Sequence, residues 1–320
     1  MTRAMMFSAP GPPEVMRLVE IAPPQPGPGQ VVVRVVAAGV QPADVAVRSG
    51  RSNHSAGAGI VGNEFAGVVD RLGTGVTDLA PATPVIGFTT LGAYAEMVAV
   101  DAGRLVPKPA GMPWIEAAAL SASGQTAHTA LSDLGVEAGE TVLIHAAAGG
   151  VGTMAVQIAR CWGATVIGTA RPENHDYLRA LGAIPVEYGD GLVERVRAVA
   201  PEGVDAALDA VGNGALVASL ALVADRSRIG TIVDFAAAAR RGVRAIGTRR
   251  SAERLRELVA MRNWGELRVH VSRTYPLHES ARAHRDIEGG HVRGKIAITM
   301  PILEQWSDAA HRPLHEAHAA

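Results

Sequence analysis

"LIHAAAGGVG", residues 143–152, is the stretch on which the fold turns. An apolar run enters a cluster of Ala and Gly, and "TMAVQIARCWGA" continues in a helical pattern. Strand, side-chain-poor turn and helix is the order in which a backbone is brought up against a phosphate. Ala147, Gly149 and Gly152 stand at the spacing of a dinucleotide fingerprint, with Ala at its first position. Gly149 lets the backbone approach a pyrophosphate, and Gly152 lets the helix pack closely on the strand. A close-packed turn without a ligand would use the same glycines, so the surroundings decide.

Those surroundings alternate. "TVLIHA" precedes the helix from Val151, and "TVIGTA", the helix "NHDYLRALG" and "IPVEY" follow. Then come the helix "GLVERVRAVA", "VDAALDAVG", another helix, "RIGTIVDF" and "GVRAIG". Strands alternating with helices predict a parallel sheet covered on both faces, the setting in which the glycine turn binds a dinucleotide. An NAD site places Asp or Glu at the end of the second strand, on the ribose 2′-hydroxyl. Here that strand ends Thr169-Ala170-Arg171. A guanidinium suits a 2′-phosphate and Thr169 adds a hydroxyl, so NADPH is the expected cofactor. Two alternatives stand beside this: Glu173 as a displaced ribose acceptor, and an ordinary surface Arg. The basic residues are nearly all Arg, Lys108 and Lys295 being the exceptions.

Residues 1–120 read as β-rich, with "QVVVRVVAAGV", "IVGNEFAGVVDRLG" and "AYAEMVAV" as strands and a proline density unsuited to long helices. "MPWIEAAALSASGQTAHTALSDLG" predicts a helical pair. Residues 121–264 form the nucleotide-binding domain, closing with the helix "AERLRELVAMRNWG". Strand texture returns over 265–300, with "LRVHVSRTYPL", the helix "HESARAHRDIEGG" and "KIAITM"; 301–320 reads as an appended tail. The expected fold class is α/β, a doubly wound parallel sheet inserted into a β-rich domain.

A chain of 320 residues has room for two cores, and 48% hydrophobic with 19% charged residues is globular composition. A net charge of −1 removes the basic footprint that nucleic acid or an anionic membrane would require. The longest apolar stretch, "ALVASLALVA" from Ala215, is too short for a bilayer, and "MTRAMMFSAPGPP" lacks a signal-peptide core. A cytoplasmic location is expected. The single cysteine, Cys161, excludes an internal disulfide and a multi-thiolate zinc site.

"AAGVQPADVAVRSG", "GNEFAGVV", "GAYAEMVAV", "EAAALSASGQTAHTAL", "AGETVLIHAAAGGVGTMAVQIA", "ALDAVG" and "GGHVRGKIAIT" occur in this order from about Met5 to Met300. Together they resemble the zinc-free medium-chain dehydrogenase/reductase superfamily, quinone oxidoreductase type. The resemblance implies a GroES-like catalytic domain, a Rossmann domain, a cleft between them and, commonly, a homodimer. It implies NADPH-dependent hydride transfer to a small-molecule quinone or enone, in the manner of an enoyl reductase. Zinc members of the superfamily carry a Cys near the position of Gln41 and a His at that of Asn63, and both are absent here. No metal ligand is therefore assigned, and Gln41 and Asn63 become the catalytic candidates, as amide donors to a developing oxyanion.

The resemblance assigns further positions. Gln41 and Thr126 match contacts to the nicotinamide end, and the amides of Ala148, Gly149, Gly150 and Val151, with Gly152, match the pyrophosphate turn. Thr169, Arg171 and Tyr188 match the 2′-phosphate end. Val211 and Phe235 follow strand ends that flank the nicotinamide ribose, with a core role as the alternative. Relatives often carry a Tyr at the position of Ala46, whose loss removes a possible proton donor and leaves water to supply the proton. "APATPV" at 80–85 replaces a "GDRV"-like turn.

His145 reads as structural or cofactor-adjacent, and His54 as a loop residue that could border substrate. His311, His315 and His318 in the tail support adventitious metal binding at most. Asp44 and Arg48 read as a structural ion pair. Two other functions compete with the reductase: a nucleotide-binding protein of low turnover, and a non-reducing tailoring enzyme of secondary metabolism.

Overall fold

In the computed structural model of the protein, residues 1–52 and 57–301 are described. His54 and the three tail histidines lie outside them. The chain forms two compact units: Met1–Ala119 with Arg273–Gly290 and the residues from Ile296, and Leu120–Ser272 with His291–Lys295. The first unit begins with β1 (Thr2–Phe7), β2 (Met16–Ile21) and β3 (Gln30–Val40), followed by the short helix α1 (Pro42–Arg48). Next come β4 (Gly59–Ile60), β5 (Glu64–Leu72), β6 (Pro84–Phe88), β7 (Met97–Asp101) and β8 (Leu105–Pro107). The stretch that reads as one strand around "IVGNEFAGVV" is broken between Ile60 and Glu64. Gly62 makes the break, with φ +95° and so little room that a Cβ would stand 2.9 Å from the Tyr94 backbone nitrogen.

The expected helical pair is one continuous helix, α2 (Trp114–Asp133), which runs through "SASGQT" without interruption. The small polar residues there bond inside the helix: Gln125 Nε2 donates to Ser121 Oγ at 2.9 Å, and Thr126 Oγ1 to the Ala122 carbonyl at 2.7 Å.

The second unit continues with β9 (Thr141–Ile144), α3 (Gly150–Cys161), β10 (Thr165–Thr169), α4 (His175–Ala180), β11 (Ile184–Val186) and α5 (Leu192–Val199). It proceeds through β12 (Ala206–Asp209), α6 (Ala215–Leu222), β13 (Ile229–Thr231), α7 (Phe235–Arg241), β14 (Arg244–Ala245) and α8 (Ala252–Asn263). The sheet order is β11-β10-β9-β12-β13-β14, parallel throughout. Leu143, Ile167, Ala207 and Ile229 from the strands pack against Leu192, Val196 and Leu216 from the helices. Strand order reverses at β9, so the carboxyl end of β9 is the switch point at which such sheets take ligands.

The chain returns through β15 (Val271–Pro276), α9 (Ser280–Gly289) and β16 (Lys295–Thr299). In the first unit's main sheet, of order β15-β16-β3-β5-β6-β8, β3 is the central strand. One edge of β3 pairs with β5, and the other pairs with β16 along its second half and β7 along its first. A run of β-branched residues buried on both faces suits that place. The pairing of Ala38 with Phe65 brings Gln41, just past β3, beside Asn63 and Glu64 at the start of β5. Among the described residues no helix is long and apolar enough to cross a membrane.

Candidate functional site

Between β9 and α3 the backbone makes a tight turn that begins at Ala146, in the left-handed region at φ +53°. The Ala146 N–H donates to Thr169 Oγ1 at 3.1 Å, and the Gly149 N–H returns to the Ala146 carbonyl at 2.9 Å. A Cβ on Gly152 would run into the Ala146 carbonyl and stand 2.7 Å from Ala147 Cα, so only glycine lets α3 sit this close to the turn. The first bond inside α3 runs from the Thr153 N–H to the Gly149 carbonyl at 2.8 Å. The amides of Gly150, Val151 and Gly152 therefore have no acceptor within the helix. With the helix dipole behind them, they suit an anion. Ala148 is buried and its carbonyl accepts from the Gly294 N–H at 2.8 Å.

At the end of β10, Arg171 Nε donates to the Tyr188 hydroxyl at 3.1 Å, and Nη1 lies 3.3 Å from the Glu173 carboxylate. Glu173 is thus turned toward the Arg171 guanidinium. Thr169 is buried and its hydroxyl holds the Ala146 amide, so its first role is to shape the turn. Val211 and Phe235 are 43% and 51% exposed, which removes the core alternative for both. Buried Asp209 shapes the strand ends beside them, accepting from the Val211 and Gly212 N–H groups and from Thr231 Oγ1. Thr126, half-buried on α2, has its Oγ1 2.7 Å from Thr248 Oγ1.

His145, just past the end of β9, is buried. Its Nε2 lies 3.0 Å from Ser219 Oγ, and burial pushes its pKa down to about 4.

The first unit holds its own polar cluster. Gln41 Nε2 donates to Asn63 Oδ1 at 2.7 Å and to Glu64 Oε1 at 3.3 Å, all three side chains being buried. Accepting through Oδ1 fixes which way the Asn63 amide faces. Gly39 makes space for the Glu64 carboxylate, which a Cβ at that position would displace. Pro42 starts α1, and the Asp44 carboxylate accepts from the Gln41 N–H at 3.0 Å and from the Tyr94 hydroxyl at 3.2 Å. The expected Asp44–Arg48 ion pair gives way to another: Arg48, fully buried, pairs with Glu288 of α9 and donates to the Gly11 carbonyl at 2.6 Å.

His284 Nε2 lies 3.3 Å from the Tyr94 oxygen. Since the Tyr94 hydroxyl hydrogen is directed at Asp44, His284 is the donor, and its Nδ1 is buried without a hydrogen-bond partner. Burial first, then the charge of Arg48, lowers the His284 pKa to about 3. Burial, reinforced by Asp44, holds the Tyr94 phenol well above its usual range.

Residues 27–110 match the alcohol dehydrogenase GroES-like domain, and 181–298 match the zinc-binding dehydrogenase family. The quinone oxidoreductase of Coxiella burnetii is 31% identical at a TM-score of 0.85, covering 93% of this chain and 99% of that one. The chain belongs to the medium-chain dehydrogenase/reductase superfamily.

Within this superfamily it is quinone oxidoreductase-like, with a GroES-like unit and a parallel Rossmann-type sheet, and its fold is that of an oxidoreductase. A mycobacterial protein solved with NADPH is 30% identical at a TM-score of 0.82, covering 93% of this chain and 99% of that one. A pikromycin polyketide synthase component of Streptomyces venezuelae is 34% identical over 319 residues, 92% of this chain. The chain spans only 8% of that much longer protein.

Sequence reasoning assigned no role to Glu64, Tyr94, His284 or Arg293, and it missed the Arg48–Glu288 pair. The buried carboxylate in "GNEF", inside an otherwise apolar strand, was the one local signal available. The others meet only through long-range pairing.

Proposed function

We propose that the chain is an NADPH-dependent reductase that passes hydride to a quinone or to the β-carbon of an α,β-unsaturated carbonyl, without zinc. The observation that carries the cofactor choice is Arg171, which stands at the end of β10 where an NAD site would have a carboxylate. The acceptor class is supported by the names of the relatives, quinone oxidoreductases and polyketide synthase components. When bound, NADPH supplies a hydride from C4 of its nicotinamide, and with one proton from water an enone becomes the saturated carbonyl compound.

The chain's own residues bind and orient. The amides of Gly150, Val151 and Gly152 and the dipole of α3 take the pyrophosphate, and the Arg171 guanidinium takes the 2′-phosphate. Thr126, Val211 and Phe235 line the nicotinamide end. Asn63, oriented by Gln41, donates to the oxygen on which charge develops, with Glu64 holding Gln41 in place. Two amides and one carboxylate bonded to one another suit a carbonyl oxygen. They do not fit zinc in a dehydrogenase, whose ligands are typically thiolate and imidazole.

Measured across a panel of quinones and enones, NADPH oxidation should be rapid, while simple ketones and primary alcohols stay poor. C4-deuterated NADPH should place deuterium at the product β-carbon, and chelators should leave the rate unchanged. A stoichiometric zinc required for turnover would overturn the metal-free reading. Tight NADPH binding with no oxidation by any acceptor would put the nucleotide-binding reading in its place.

A further inference from the structure

Residues His291–Lys295 group with the nucleotide-binding unit, although the chain on both sides of them belongs to the other. They cross the glycine turn as a strap. Gly294 bridges to Gly149 in parallel sense and donates to the Ala148 carbonyl, while the Lys295 N–H donates to the His270 carbonyl at 2.8 Å. Gly294 is at φ +63°, and a Cβ there would meet the His270 carbonyl and lie 2.9 Å from its ring. The backbone on the carboxyl side of Arg293 is therefore pinned, and so is the origin of its side chain.

That side chain runs to the loop after β10. Arg293 Nε donates to Asn174 Oδ1 at 2.7 Å, and an Nη to the Glu173 carbonyl at 3.3 Å. Its guanidinium carbon lies 5.2 Å from the centre of the Tyr177 ring, a cation–π contact. The Tyr177 hydroxyl is 3.1 Å from Thr153 Oγ1, in the first turn of α3. Arg171 opens the same short turn, Pro172–Asn174, from its other end. Two guanidiniums thus bracket a three-residue turn whose one carboxylate, Glu173, is exposed and already shared with Arg171. The excess positive charge is felt locally: after burial, Arg293 is what lowers the His270 pKa.

We propose that Arg293 is a second ligand, with Arg171, for the 2′-phosphate of NADPH. The inference rests on the NADPH reading above and deepens it. A phosphomonoester dianion offers three strong acceptor oxygens, enough for two guanidinium forks. The oxygens that Arg293 now engages are neutral, an amide and a carbonyl, and a phosphate oxygen outcompetes both. NADH offers no such group, so with NADH Arg293 stays on Asn174. The strap then couples the pyrophosphate to the adenosine side of the dinucleotide: the segment that closes the pyrophosphate turn also carries a reader of the 2′ position.

The test is a binding titration on the full chain, independent of turnover, with NADPH, NADH, 2′,5′-ADP and 5′-ADP. Arg293→Ala should weaken NADPH and 2′,5′-ADP about tenfold or more and leave NADH and 5′-ADP unchanged. Arg293→Lys should restore part of the loss, because the charge is kept and the fork is not. Equal weakening of NADPH and NADH would make Arg293 a strap that only shapes the turn, and would overturn the inference. A preference lost in Arg171→Ala but intact in Arg293→Ala would overturn it while leaving the NADPH reading standing. Equal affinities in the unmutated chain would bring down both.

Discussion

At the glycine turn the groups that matter are backbone amides, whereas in the Gln41–Asn63–Glu64 cluster they are side-chain amides and a carboxylate. What the turn requires is that no Cβ intrude at Gly152. In the cluster each member is hydrogen-bonded to another, so its members do not act independently. Binding by backbone is written in what the sequence leaves out. Binding by side chain is written in which distant residues the sheet brings together.

Gly152→Val should show the largest effect. Its Cβ would strike the Ala146 carbonyl and crowd Ala147, so α3 must move off the turn. Both NADPH and NADH binding should fall by at least about a hundredfold, as expected when a site is displaced by about an ångström. Titration of both cofactors, with circular dichroism to verify folding, checks this. Retained affinity would mean that the turn is not what holds the dinucleotide.

Asn63→Ala should act on the other side of the comparison. Losing an oxyanion donor costs about 10²–10³ in rate, so kcat should fall by that order while the Kd for NADPH stays nearly constant. Gln41→Ala should give a smaller kcat loss, because it acts on the acceptor through Asn63. A loss confined to NADPH affinity would move Asn63 out of the reaction and into cofactor binding.

A gentler effect separates the two units by pH. His145 in the nucleotide-binding unit and His284 in the β-rich unit are buried with pKa values lowered to about 4 and about 3. Their unfolded values are near the ordinary 6.5, so below that pH the unfolded chain binds more protons than the folded one. Stability should therefore be flat above about pH 7 and decline as pH falls from 6.5 toward 4. The slope from these two groups is at most about 1.4 kcal/mol per pH unit each. Thermal denaturation across that range should show His284→Gln and His145→Asn each flattening the decline. An unchanged slope in both would put the acid sensitivity elsewhere.

The fold of the parallel-sheet unit was largely legible because its signals are local. Alternating strands and helices, the glycine spacing and the Arg at the end of β10 each lie within one or two adjacent elements. The helix α2 was misread because Ser, Gly and Thr are punctuation in most sequences, whereas here Ser121 accepts from Gln125 and Thr126 donates to the Ala122 carbonyl within the helix. The β-rich unit hid its chemistry in separation along the chain. Arg48 meets Glu288, Tyr94 meets His284, and Gln41 meets Glu64 only because β3, β5 and α9 are brought together. Asp44 and Arg48 read as partners, and tertiary structure gives Asp44 the Tyr94 hydroxyl and Arg48 the Glu288 carboxylate.

The strap at His291–Lys295 also sets an order of events during synthesis. A ribosome delivers the glycine turn long before the residue that caps its Ala148 carbonyl, and β3 emerges long before β16 covers the edge of its second half. Neither unit can finish on its own segment of nascent chain, however early its strands begin to pair. Both are closed by the same short stretch, Gly294–Thr299, so both should become protease-resistant together, late, when that stretch clears the exit tunnel.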